Sequence, residues 1–128
     1  MISIRGLSKR LGSKQVLLGL DLDIEKGETL VVLGPSGTGK SVLLKHIIGL
    51  MVPDAGSVEI DGENIVGMKE RELDRVRKRF GMLFQGSALF DSMTVGENVG
   101  LALREHTKMK QRDIDARVEE RLEWVGLK

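Results

Sequence analysis

The sequence contains no cysteine, which excludes disulfides, thiol catalysis and cysteine-based metal sites and fits a reducing compartment. Long apolar runs are missing too: stretches such as 29–33 and 47–52 fall far short of the roughly 18 residues a spanning helix needs. The first twenty residues carry no signal-peptide apolar region. The cytoplasm is therefore the expected location, and any membrane process would need a partner to supply the membrane part. Nor is there a surplus of one charge sign. The 20 Lys and Arg residues against 19 Asp and Glu leave a formal net charge of +1, which gives no overall electrostatic reason to bind nucleic acid or an anionic membrane. Anion binding has to be local.

What is present is a clear order of elements, without internal repeats or low-complexity segments. The 128 residues suit one domain or part of one. Residues 2–5 and 16–24 read as strands joined through a turn at Gly12-Ser13. In the second strand Leu18, Leu20, Leu22 and Ile24 alternate with Gly19, Asp21 and Asp23, as in a half-buried strand. Residues 29–33, Thr-Leu-Val-Val-Leu between Gly27 and Gly34, show no alternation and read as a strand buried on both faces of a parallel sheet. Val42, Leu43, Ile47, Ile48 and Leu50 then recur at helical spacing up to Pro53. A strand at 57–60, a tight turn at Asp61-Gly62, a polar helix over 69–79, a short strand at 81–84 and helices over 94–104 and 112–125 complete the order. The fold class is α/β.

Between the 29–33 strand and the helix that follows, Gly34-Pro35-Ser36-Gly37-Thr38-Gly39-Lys40-Ser41 satisfies the G-x-x-x-x-G-K-[ST] phosphate-loop pattern. Glycines there permit backbone conformations that turn successive N–H groups inward around phosphate oxygens, and the following helix adds the positive end of its dipole. In such a loop the Lys40 ammonium reaches the β- and γ-phosphates of ATP, and the Ser41 hydroxyl binds the Mg2+ that bridges them.

The loop as written is similar to that of ABC transporter ATPases. Residues 52–62, Val-Pro-Asp-Ala-Gly-Ser-Val-Glu-Ile-Asp-Gly, resemble the turn and strand that those proteins place after the first helix. Gly81-Met82-Leu83-Phe84-Gln85 looks like the family's glutamine loop, followed by Ala88-Leu89-Phe90 and Thr94-Val95-Gly96-Glu97-Asn98-Val99. Residues 82–107 most resemble the ATPases of Mla- or Mce-type lipid transporters of bacterial envelopes. The resemblance spans essentially the whole chain, which covers about the first half of such an ATPase domain.

The resemblance implies a P-loop NTPase of the ABC ATPase type in incomplete form: an antiparallel β subdomain, part of the parallel core, and the first helices of a helical subdomain over about 86–128. It implies ATP and Mg2+ as ligands, a catalytic role for Lys40 and Gln85, and Gln85 beside Ser41 in the magnesium shell. It further implies a transmembrane permease subunit, a second ATPase subunit, a candidate lipid-binding Mce-type partner, and a place on the cytoplasmic face of the inner membrane. The expected function is to energise phospholipid transport. An ABC ATPase for another substrate and a nucleotide-binding fragment without catalysis stay open. A small P-loop kinase is disfavoured by the 53–62 and Gln85 motifs.

Residues 1–128 hold no Leu-Ser-Gly-Gly signature, no apolar strand ending in Asp-Glu and no switch histidine, so hydrolysis by this stretch alone is expected to fail. His46, in the first helix, and His106 do not match the histidine's place. Leu11 stands where the family stacks adenine on an aromatic, and no aromatic precedes Phe80, which leaves Arg10 as a candidate substitute. Val42 replaces a second hydroxyl near the α-phosphate.

The basic cluster Arg71, Arg75, Arg77, Lys78 and Arg79 is interleaved with Glu70, Glu72 and Asp74 and reads as a solvated helix rather than a headgroup or RNA site. Phe90, Met93 and Val95 fit either a surface for the transmembrane partner or ordinary core. Trp124 reads as packing near the stripe Ile114, Val118, Leu122 and Val125. The stripe's natural partners in the family are helices after residue 128, so it is expected to be exposed.

Overall fold

The computed structural model describes residues 1–127. The chain divides into two compact units, Met1–Phe80 and Gly81–Lys128.

The first unit is built on a four-stranded antiparallel sheet of order β2-β1-β3-β4, formed by β1 (Ile2–Leu11), β2 (Lys14–Ile24), β3 (Ala55–Ile60) and β4 (Glu63–Asn64). Two tight turns fall where the sequence places them: Gly12-Ser13 joins β1 to β2, and Asp61-Gly62, both at positive φ, joins β3 to β4. β1 and β2 are each longer than the sequence pattern indicates.

Their pairing is interrupted three times, the last by an extra β2 residue between Lys9·Leu17 and Arg10·Gln15. β1 carries an extra residue between the Ile4·Leu22 and Leu7·Leu20 pairs, and β2 carries one between Leu7·Leu20 and Lys9·Leu17. The second bulge corrects the expected alternation. It moves the buried side from Leu18, which is 81% exposed, to Leu17, since one inserted residue turns every following side chain to the other face.

Helices α1 (Lys40–Ile47) and α2 (Glu70–Arg77) also belong to this unit. Leu43 and Ile47 of α1 and Leu73 and Val76 of α2 join Ile4, Leu7, Leu17, Val58, Ile60 and Ile65 in one core, with Phe80 packed at its margin. Three ties fix the segments around it. Asp54 accepts a hydrogen bond from the Arg10 backbone N–H at 2.7 Å, and Lys9 donates to the Val52 carbonyl at 2.8 Å, which fastens the chain after α1 to the end of β1. Arg75 and Arg79 both reach Glu63, joining α2's end of the chain to β4.

Two expected strands are not formed. Residues 29–33 have no strand pairing, and Val31 and Leu33 are 70% and 87% exposed. Residues 81–84 are likewise unpaired, with Leu83 at 83% exposure. A strand buried on both faces needs neighbours on both edges and layers above and below, and no described residue pairs with either segment. The apolar composition suits a parallel core, but no described residues supply the neighbouring strands.

In the second unit α3 (Val95–His106) and α4 (Gln111–Trp124) pack as a helical pair. Thr94 caps α3: its hydroxyl accepts from the Glu97 N–H while the Glu97 carboxylate accepts from the Thr94 N–H. The helices meet at Gly100, where an added Cβ would lie 3.1 Å from both Ile114 and Val118, so only glycine permits this approach without adjustment. Ile114 and Val118 are buried as a result, whereas Val125 is 69% exposed. The stripe is thus half covered, by α3. Trp124, expected to pack, is 67% exposed with the Arg121 guanidinium 3.8 Å above its ring.

Candidate functional site

The loop 34–41 leads from the unpaired 29–33 segment into α1, whose first helical residue is Lys40. Gly39 occupies the N-cap with φ of 97°, and Gly37 has φ of 80°, both in the left-handed region that side chains resist. Gly39 is also pressed against β2. A Cβ there would lie 2.9 Å from a Val16 methyl and 3.2 Å from the Val16 carbonyl oxygen, so the loop rests directly on the start of β2. No side chain caps α1 and its first turn carries no acidic residue. The free N–H groups and the positive end of the dipole are therefore unneutralised by the chain itself.

Lys40 is half-buried, and its ammonium folds back across the loop. It donates to the carbonyl oxygens of Gly34 and Pro35, the latter at 2.7 Å, and approaches the Thr38 hydroxyl at 3.4 Å. Thr38 in turn donates to the Pro35 carbonyl at 2.8 Å. At Gly34 a Cβ would lie 2.8 Å from Thr38 Oγ1. The geometry is a tight ring of backbone around a single cation. Ser36 and Ser41 are exposed.

The ring is held from three sides. Below, Leu43, His46 and Ile47 anchor α1 in the core. His46 is 1% exposed; its Nδ1 lies 2.7 Å from the Val42 carbonyl, while Nε2 has no partner among the described residues. At the far end of α1, Arg77 donates from Nε to the Ile48 carbonyl and from its terminal nitrogen to that of Gly49, each at 2.9 Å. The Glu70 carboxylate, bonded to Arg77 at 2.8 Å, is the main reason its pKa is raised. At the loop itself, Lys14 donates to the Gly37 carbonyl at 2.8 Å.

The sequence pattern reads the α2 basic cluster as a solvated helix. Arg75 and Arg79 are partly exposed but pair with Glu63 of β4 rather than with the helix's own acids, and the sequence pattern gives no sign of Arg77 as the brace of α1 or of Lys14. A basic residue at a helix end usually serves its own helix, so nothing in the sequence directs Arg77 to another one. Several carboxylates around this unit are held below their ordinary range: Asp54 chiefly by the Arg10 N–H, Glu63 chiefly by Arg75, and Asp23 chiefly by Arg5.

Gln85 belongs to the second unit, exposed in a turn in which the Ser87 N–H donates to the Phe84 carbonyl at 2.9 Å. Ser87 and Ala88 both have positive φ, an uncommon conformation for residues with a side chain. Phe90 and Val95 are 53% and 62% exposed, which does not match the core alternative for them. Leu11 is 41% exposed at the β1 end of the first turn. Among the described residues no group of acidic, histidine or cysteine side chains forms a metal site, and no helix is long and apolar enough to cross a membrane.

Residues 17–128 match the family described as ABC transporter. Among curated proteins, the chain is 49% identical over 126 residues to the probable ribonucleotide transport ATP-binding protein mkl of Mycobacterium leprae, covering 98% of this chain and 36% of that protein. It is 40% identical over 128 residues to the intermembrane phospholipid transport system ATP-binding protein MlaF of Escherichia coli K12, covering 100% of this chain and 48% of that one. Among solved structures, a dimeric ATP-binding cassette in a post-hydrolysis state, bound to ADP and Pi, matches with a TM-score of 0.90 at 30% identity, over 100% of this chain and 58% of the cassette. The chain thus spans about half or less of the curated relatives it matches.

Proposed function

The chain belongs to the ABC transporter family, and from that premise we propose that residues 1–128 are the N-terminal portion of one ATP-binding domain, with its phosphate loop at 34–41, its glutamine loop around Gln85 and the start of its helical subdomain over about 86–128. The stretch binds Mg-ATP. The observation that carries this is the ring at the head of α1, where two left-handed glycines and an uncapped helix start gather around the Lys40 ammonium.

The residues present fit a nucleoside polyphosphate. Gly34, Pro35, Ser36, Gly37, Thr38 and Gly39 supply the backbone cradle. Lys40 exchanges its carbonyl partners for β- and γ-phosphate oxygens, which are stronger, charged acceptors. The Ser41 hydroxyl would hold magnesium; for Gln85 that role is supported by the glutamine-loop motif alone. Bound magnesium would supply charge neutralisation to the phosphates. Lys40 also orients the γ-phosphate, and the packed face of α1 keeps the loop rigid beneath it. With no signature loop or Asp-Glu strand in these residues, the stretch binds without turnover; hydrolysis belongs to an assembly in which a second ATPase subunit and the rest of the domain contribute.

For the whole protein, which would act at the cytoplasmic face of the inner membrane of a bacterial envelope, the relationship to MlaF, an intermembrane phospholipid transport ATP-binding protein, supports energising phospholipid transport. Its partners would be a permease subunit and a lipid-binding Mce-type protein. Calorimetric titration with Mg-ATP tests the central step. The wild-type chain should bind, and Lys40→Ala should weaken binding by about a hundredfold or more, as expected for loss of a charge-assisted contact in a preformed anion site. Equal affinities would remove the phosphate loop from the account.

A further inference from the structure

Lys14 lies outside the phosphate-loop pattern, at the first position of β2, yet its ammonium is fixed 2.8 Å from the carbonyl oxygen of Gly37 in the middle of that loop. The carbonyl belongs to the peptide between Gly37 and Thr38. In a planar trans peptide the C=O and N–H point in opposite directions, so a cation that holds Gly37 O on the β2 side turns the Thr38 N–H away from β2. The same contact polarises the peptide and makes that N–H a stronger donor. Gly37, at φ of 80°, has no side chain to hold its peptide in place, and its neighbours Ser36 and Thr38 are exposed. Nothing else from β2 hydrogen-bonds to this peptide among the described residues. Gly39, by contrast, is fixed sterically against Val16.

We propose that Lys14 is a positioning residue for the nucleotide: by anchoring the Gly37–Thr38 peptide from behind, it presets the Thr38 N–H as a phosphate donor and adds a second positive charge at the rim of the cradle. This rests on the phosphate-binding reading above. The chain has no aromatic before Phe80 to hold the base, so a larger share of nucleotide affinity falls on the phosphates and on whatever orders their cradle.

Lys14→Met and Lys14→Arg are compared with the wild type and Lys40→Ala by titration with Mg-ATP, and each unliganded protein is also observed through its Thr38 amide resonance. Loss of one exposed charge-assisted hydrogen bond should weaken binding about three- to tenfold in Lys14→Met. Lys14→Arg, which keeps a cationic donor, should restore most of it. The Thr38 amide nitrogen should shift in Lys14→Met and much less in Lys14→Arg, because its partner carbonyl loses the bond. A role in packing alone would not give that order. Thermal melting checks the fold, with Lys14→Gln replacing the methionine variant should that one unfold.

Wild-type affinity in Lys14→Met, an arginine variant as weak as the methionine one, or an unmoved Thr38 resonance would each overturn the proposal. If the wild type itself binds no Mg-ATP, the nucleotide reading fails, while the Thr38 resonance still decides whether Lys14 anchors the loop.

Discussion

The two units handle their apolar residues differently. In Met1–Phe80 the sheet and two helices close over a shared core in which Ile4, Leu7 and Val58 are fully buried. In Gly81–Lys128 a pair of helices buries Ile114 and Val118 around Gly100 and leaves Leu89, Phe90, Val95, Trp124 and Val125 largely in solvent. Antiparallel hairpins and the helices beside them find their partners within a few dozen residues of sequence. Parallel strands and a multi-helix layer need partners from farther away. The contrast runs inside the first unit too, where the apolar segment 29–33 stays unpaired beside a closed core.

The contrast can be broken most sharply by paired truncations. Leu7→Ala should destabilise the first unit by about 2–5 kcal/mol, the usual cost of emptying a packed core site. Val31→Ser should change stability in this chain by no more than about 0.5 kcal/mol, as for other exposed positions. Chemical denaturation followed by circular dichroism measures both. Similar losses from the two would mean that 29–33 is packed after all.

A smaller effect is expected at the end of α1. Arg77→Met removes two hydrogen bonds to carbonyls from a side chain only 24% exposed, and should cost about 1–2 kcal/mol. Because the brace is at the opposite end of α1 from the loop, its loss should also raise amide exchange in residues 46–49, which hydrogen exchange would detect.

Smallest is the acid response. Asp23, Asp54 and Glu63 are held below their ordinary values of 3.8, 3.8 and 4.5, so in the folded chain they bind protons more weakly than in the unfolded one. Their contribution is complete above those values and is lost as pH falls through and below about 4. Denaturation midpoints should decline over that range, and Asp54→Asn should flatten the decline. Asp23 and Asp54 are exposed and Glu63 is only half-buried, so the change is gentle.

The antiparallel portion was legible because its signals are local: the Gly12-Ser13 and Asp61-Gly62 turns and the short strand at 57–60 each act over a few residues. The phosphate loop was legible for the same reason. The choice of Leu17 over Leu18 was not, since it depends on a bulge set by pairing with β1. Lys14 and Arg77 were hidden because each acts on a distant segment of chain, 23 and 28–29 residues away, through a backbone carbonyl that no side-chain pattern marks. The apolar character of 29–33 was read correctly, but burial also requires neighbours, and composition cannot supply them.

The most direct test of the account is a residue-resolved titration of the chain with Mg-ADP, following backbone amide resonances. The account predicts the largest changes at 34–41, with Lys40 and Thr38 foremost, smaller ones at Lys14 and along α1, and little change over α3 and α4. Changes centred on α3 and α4, or none at 34–41 at millimolar ligand, would contradict it.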